Sequence, residues 1–319
     1  GPQLKLSSIY VDQFVSDDMA RDISQRFGIP IFSTIEQALT LGGQGIAVDG
    51  VVSIGEHGDY PFSEIGQQLY PRRRFFSEIA AAFEKHGRVV PVFNDKHLGP
   101  AWADGLWMYQ EAQRLRIPLM AGSSLPVGHR LSPDILPMNC DLEAAVGIGY
   151  SGLDVYGIHA LEFLHWHIER RRGAETGVRW VQALKGDAIW KTVDAGMVRR
   201  DLLEAAFAAV PHEPGSDMRK DAEAVLFLYE HHDGFRGAQF MFSCARGTGA
   251  ALAVRGKPPL VSVFDERTEP KYPHFAYLLK AIEKMIHTGR PTYPVERTLL
   301  TGGILDRALT SLHAGGVRP

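Results

Sequence analysis

The stretch RRFFSEIAAAFEKHGRVVPVFNDKHLGP, residues 73–100, decides the fold. Its first half has apolar residues at helical spacing and stops at Gly87. Its second half is a short apolar run that ends in Asp95, Lys96 and His97. A helix feeding a strand in this way is one step of a β/α succession, and the flanking sequence repeats the step. Strands are expected in 4–14, 29–33, 46–53, 88–93 and 117–123, with helices in 17–28, 34–43, 73–87 and 101–116 between them. Apolar strands joined by helices imply a parallel, Rossmann-like sheet covered on both faces, with ligands at the carboxyl ends of its strands. Asp95, Lys96 and His97 fall at such an end.

The pattern changes after about residue 127. HRLSPDILPMNC (129–140) reads as a proline-bearing connector and YGIHALEFLHWHIERRR (156–172) as a helix. Strands are expected in 177–186, 223–243 and 250–256, with Asp233-Gly234 as a hairpin turn, and the tail returns to helix in 273–289 and 294–312. The fold class is therefore α/β. A parallel Rossmann-like domain (1–127) is followed by an α+β domain (128–319) built on a mostly antiparallel sheet.

Composition narrows the function. With 319 residues, 45% hydrophobic and 22% charged, the chain can bury the cores of two domains. A net charge of −3 and no long basic block argue against nucleic acid as the partner and leave a small molecule. Two cysteines without a CxxC pattern suggest neither a disulfide framework nor a thiolate metal site, which suits a reducing cytoplasm. No apolar run is long enough to span a bilayer, and no signal-peptide pattern opens the sequence, so neither membrane nor export is expected. Gly1-Pro2 fits the scar of a removed tag or an internal point of a longer chain.

The succession GIPIFSTIEQAL, VDGVVSIGEHGDYPF, VVPVFNDKHLG, PLMAGSSLP and GIHALEFL resembles the glucose-fructose oxidoreductase and inositol dehydrogenase (Gfo/Idh/MocA-like) superfamily, in a bacterial branch. The resemblance implies a nucleotide-binding domain followed by a domain whose open sheet supports the substrate site and homo-oligomer contacts. It also implies NAD or NADP as cofactor and a sugar, cyclitol or related polyol as substrate. In the family the strand before the active site ends in Glu-Lys-Pro. Here Asp95, Lys96 and His97 stand in those positions, so only the lysine is kept. The family's histidine lies in an Asp-x3-His-x2-Asp pattern. His159 and Glu162 match its second half, while Val155 stands at the first acid and Asp154 is one position off.

By the same resemblance Asp12 in IYVDQF matches the acid that takes the adenosine ribose, with Glu56, Asp95 and His97 as further cofactor-side residues. The chain departs from the family at its start. If 4–14 is the family's second strand, the first strand, glycine turn and helix that cradle a pyrophosphate are not in this chain. Gly42-Gly43 and Gly302-Gly303 stand in the wrong context to replace them. Either that unit lies upstream, or the protein does not bind NAD in the family manner.

The chemistry asks for a base that is neutral near pH 7 and a cation beside the developing oxyanion. His159 and Lys96 are the candidates, with Glu162 beside the former and His57, in the donor-rich loop GEHGDYPF with Glu56, Asp59 and Tyr60, as a further catalytic candidate. Three arginines, Arg72, Arg73 and Arg74, begin a helix, where the dipole does not favour cations. They suit an anionic or interface partner, or a solvated basic face. His159, Glu162 and His165 share a helical face that could ligate a divalent metal with Glu56 or His57. That pattern supports an alternative reading, a metal-assisted or cofactor-independent isomerase, lyase or hydrolase using His57, Lys96, His97 and His159. A non-catalytic ligand-binding or assembly protein is the third. His231-His232-Asp233-Gly234 reads as a hairpin tip, and Glu296 and Arg297 as a structural pair.

Overall fold

The computed structural model describes residues 3–132, 135–267, 269 and 272–319. Gly1-Pro2 and part of the 129–140 connector lie outside them. The chain forms two compact units. The first contains 1–63, 68–122 and 279–299, and the second 64–67, 123–278 and 300–319. No helix among the described residues is long and apolar enough to cross a membrane.

The first unit follows the β/α order expected from the sequence. Its elements are β1 (Ile9–Tyr10), α1 (Ala20–Phe27), β2 (Ile31–Phe32), α2 (Ile35–Thr40), β3 (Val51–Ser53), α3 (Arg72–His86), β4 (Val92–Asp95), α4 (Trp102–Leu115) and β5 (Leu119–Gly122). Local chemistry sets the ends. Gly28 and Gly87 take left-handed conformations after α1 and α3, and the Thr34 side chain accepts the Gln37 N–H at the start of α2. Strands β3, β4 and β5 pair in parallel, while β1 and β2 form a separate parallel pair. Phe76, Ile79 and Phe83 of α3 and Met108 and Ala112 of α4 pack with Val92 and Leu119 in one buried cluster. The register aligns Ser53 with Asn94 and Asp95 with Gly122. The Glu56 loop, Lys96 and Ser123 therefore each follow the carboxyl end of a strand.

The second unit is built on a six-stranded sheet. Its elements are β6 (Leu142–Tyr150), α5 (Gly157–Ile168), β7 (Val178–Lys185), α6 (Asp187–Asp194), α7 (Arg200–Ala209), β8 (Val225–His231), β9 (Arg236–Phe242), β10 (Gly249–Val254) and β11 (Leu260–Val263). The tail forms α8 (Ala276–Thr288) and α9 (Glu296–His313). The strand order is β11-β10-β6-β9-β8-β7, with only β6 and β9 parallel. Strand residues alternate between two cores. Phe227 and Tyr229 face a cluster with α5 and the end of α9, whereas Leu226 and Leu228 face one with α6 and α7. Both faces of this sheet thus carry helices, although the resemblance implied an open one.

The sequence reading left out β6, the strand that seats α5. LEAAVGIGY is rich in alanine and glycine, which strands disfavour. The glycines are there for close approach. A Cβ on Gly149 would lie 2.6 Å from Ala160 Cβ of α5 and 2.7 Å from Met241 Sδ, and one on Gly147 would meet the Gln239 side chain at 2.2 Å. Gly149→Val is expected to destabilise the protein by about 1–3 kcal/mol through overpacking. Urea unfolding measures this, and a change within about 0.5 kcal/mol, the range of a surface substitution, would remove this account of β6.

Candidate functional site

In the first unit the site is a charge network. Glu56, just beyond β3, binds the Arg72 guanidinium through Oε1 at 2.8 Å and the Lys96 ammonium through Oε2. Lys96 Nζ also donates to Asp95 Oδ2 at 2.7 Å. Arg72 is a charged side chain only 2% exposed, and Gly55 makes room for it: a Cβ there would stand 2.7 Å from Arg72 Cγ. Lys96 has a left-handed backbone (φ 57°), and its N–H reaches Gly122 O at 3.3 Å. Burial alone would lower its pKa, but the charges of Asp95 and Glu56 outweigh that and raise it, so Lys96 stays an ammonium. His97 is buried, and its carbonyl accepts the Asn94 side-chain amide at 2.6 Å. His57 is exposed at a positive φ of 61°.

Asp12 forms a second knot in the same unit. Tyr10 and Arg74 bind its Oδ1 at 2.7 and 2.5 Å, and Tyr60 donates to Oδ2 at 2.5 Å. Burial pushes this carboxyl up, and the hydrogen bonds from Tyr60, Tyr10 and Arg74 together overcome it and hold it below its ordinary value. The arginine run that opens α3 is thus absorbed internally, by Glu56 for Arg72, Asp104 for Arg73, and Asp12 and Glu78 for Arg74.

In the second unit Ser123 joins two side chains of α5. Its Oγ is 2.5 Å from His159 Nδ1, and its N–H donates to Glu162 Oε2 at 2.6 Å. Ser123 and Glu162 are buried, while His159 is half-buried with its ring edge-on to exposed Tyr156. With its proton on Nδ1 the ring donates to Ser123 and keeps the Nε2 lone pair, the state a general base needs. The Ser123 hydroxyl thereby orients the ring, and Glu162 holds the Ser123 backbone.

The expected shared face of His159, Glu162 and His165 divides. His159 and Glu162 turn to Ser123, whereas His165 Nε2 lies 2.6 Å from Glu175 Oε2, on the loop after α5. His231 is the last residue of β8 rather than a hairpin tip, and its buried Nδ1 meets Glu175 Oε1 at 2.9 Å. Sequence reasoning missed this grouping because 66 residues and two strands separate its histidines, and only strand pairing brings them together.

His167, two residues beyond His165, is buried with no hydrogen-bond partner on either ring nitrogen. It packs edge-on against Phe163 and Trp166. Burial, reinforced by the Arg130 and Arg170 charges, pushes its pKa down to about 3. A folded value below the unfolded one means that stability is full above about pH 6.5 and is lost as pH falls toward 3. By pH 5 the loss from His167 reaches about 2 kcal/mol. His167→Phe should remove that share of the pH dependence. Urea melts of both proteins at pH 7 and 5 check it, and equal pH sensitivity would count against the assignment.

The two folds, a Rossmann-like unit and a unit with a mostly antiparallel sheet, are those of a set of solved structures that includes inositol dehydrogenases. Among solved structures the chain is similar to GenD2 from gentamicin A biosynthesis in complex with NAD, with a TM-score of 0.64 and 15% identity over 99% of this chain and 88% of that one. A putative myo-inositol dehydrogenase from Sinorhizobium meliloti 1021 follows at 0.61 and 12%, over 99% and 91%. A myo-inositol dehydrogenase from Corynebacterium glutamicum ATCC 13032 stands at 0.61 and 13%, over 99% and 92%. No protein-family model and no curated protein matches the sequence.

Proposed function

We propose that the chain is an oxidoreductase acting on a sugar, cyclitol or related polyol, with His159 as acid/base and Lys96 as electrostatic partner. The observation that carries this reading is the anchoring of His159 Nδ1 on Ser123, whose own N–H is held by buried Glu162. In this reading His159 Nε2 takes the hydroxyl proton of the substrate, and the Lys96 ammonium stabilises the oxyanion as the proton leaves. His57, exposed on the loop after Glu56, is a further group for proton exchange with solvent. The likeness to GenD2, solved in complex with NAD, supports a nicotinamide as cofactor, and the likeness to the inositol dehydrogenases supports a cyclic polyol as substrate class. The reading includes a cytoplasmic location, in keeping with the free Cys140 and Cys244. Self-association through the second unit's sheet would have to use its edges or helices, since both faces are covered.

A nicotinamide would take the hydride, with Asp12, Glu56, Asp95 and His97 on the cofactor side. The described residues do not fit the rest of a dinucleotide. Both Asp12 oxygens are bound by Tyr10, Tyr60 and Arg74, so a ribose diol would have to displace them. Gly42-Gly43 follows α2 and Gly302-Gly303 lies inside α9, so neither pair forms a strand-to-helix turn. The occupied Asp12 oxygens favour a second reading, an acid/base isomerase, lyase or hydrolase that uses the same His159 and Lys96 without a dinucleotide. Titrating NADH and NADPH into the full-length protein by fluorescence separates the two. Binding at submillimolar concentration is expected for the oxidoreductase, a range usual for enzyme ligands. No binding of either nucleotide at that level would leave the second reading.

A further inference from the structure

The geometry points to a divalent transition-metal site of the zinc class formed by His165, Glu175 and His231 in the second unit. The three side chains come from α5, the loop before β7, and the end of β8. One ligand atom from each lies within 4.8 Å of the others. The two histidine nitrogens stand 2.6 and 2.9 Å from the Glu175 carboxylate. Around a tetrahedral ion with bonds of about 2.0–2.2 Å, neighbouring ligand atoms are separated by little more than these distances. Small movements of the side chains would admit the ion.

The donor set is imidazole, imidazole and carboxylate, which suits zinc and its neighbours rather than calcium or magnesium. Glu175 is oriented for this role. Its Oε1 accepts the backbone N–H groups of Thr176 and Gly177 at 2.9 and 2.8 Å, which fixes the carboxylate and leaves Oε2 turned toward His165.

The other ring nitrogens, His165 Nδ1 and His231 Nε2, and the Tyr229 hydroxyl are buried without hydrogen-bond partners, and a metal held through His165 Nε2 and His231 Nδ1 leaves them as they are. Arg171 approaches Glu175 Oε2 at 3.7 Å, but its closer commitments are Asp233 and the Ile168 carbonyl, so Glu175 is not its partner at hydrogen-bond range. The histidines are fully buried and Glu175 is 31% exposed, so the carboxylate side provides the entry path and a fourth position for solvent.

The test uses the full-length protein, stripped with a chelator and returned to chelator-free buffer. Calorimetric titration with zinc chloride is expected to show one equivalent bound at micromolar affinity or tighter, with a rise in melting temperature. Cobalt(II) in its place should give the visible spectrum of a four-coordinate nitrogen and oxygen site. Glu175→Gln and His231→Gln should each weaken binding by about 100-fold, at least the contribution of an outer-sphere partner. His232→Gln, at the exposed neighbouring histidine, should leave binding intact. Failure of the wild-type protein to bind one equivalent overturns the proposal whatever the variants do. Unchanged affinity in both Glu175→Gln and His231→Gln, or a six-coordinate cobalt spectrum, overturns it equally.

Discussion

His159→Ala should lower kcat on a polyol substrate by about 10²–10⁴-fold, the usual contribution of a positioned general base, and leave the melting temperature nearly unchanged. The small effect on stability follows from half-burial of the ring at the end of the α5 core rather than within it. The large effect on rate follows from its anchoring. A ring fixed through Nδ1 loses no orientational freedom when it takes a proton at Nε2. Ser123→Ala is expected to cost less, because it frees the ring without removing the base, and its loss should fall mainly on kcat. Turnover within threefold of wild type would remove His159 from the chemistry and leave the α5 histidine a structural residue.

The α/β order of the first unit was legible because each of its steps is local. The period of α3, its stop at Gly87 and the apolar run of β4 lie within about two dozen residues, and the structure has α3 within a residue of that reading, while β4 begins at Val92, late in the apolar run. The position of Lys96 at a strand end follows from the same steps. Its partners do not. Glu56 and Arg72 are brought to it by parallel pairing of β3 with β4 and by the room left at Gly55, neither of which has a pattern along the chain.

The second unit was harder for a related reason. β8 is buried on both faces, so it reads as a continuous apolar run, whereas β6 is small-residue throughout because α5 lies close upon it. Small side chains carry little periodicity, and the strand that seats His159 was therefore the least visible one. α6, α7 and β11 were likewise left out of the sequence reading. The helical spacing of His159, Glu162 and His165 was real, but three-residue steps advance slowly around a helix, and Ser123 and Glu175 divide the face between them. A spacing rule states which side chains are neighbours on the helix; the segments packed against it decide their partners.

Glu56→Ala should destabilise the protein by about 3–5 kcal/mol, the cost of breaking a buried ion pair. The argument rests on how the carboxylate is shared. One oxygen serves Arg72 and the other Lys96, and all three side chains are largely withdrawn from water. Alanine withdraws the anion from two cations at once, and Asp95 remains for only one of them. Glu56→Gln keeps the shape and a hydrogen-bond acceptor but not the charge, so it should fall between alanine and wild type. The double variant Glu56→Leu with Arg72→Leu should lose less than the sum of its single changes, because it removes both members of the pair.

The effect on Lys96 gives a second readout. Its raised pKa stabilises the fold below about pH 10.5 and stops doing so as pH rises through the higher folded value. With Glu56 gone the folded value should drop toward the lysine's ordinary one, so the stability that wild type loses above about pH 10.5 should shrink. Urea unfolding at pH 7 measures the first effect, and its change as pH rises above about 10.5 measures the second. A loss under about 1 kcal/mol, as for a surface pair, would mean that water already reaches the network and that Lys96 is not held in a desolvated site.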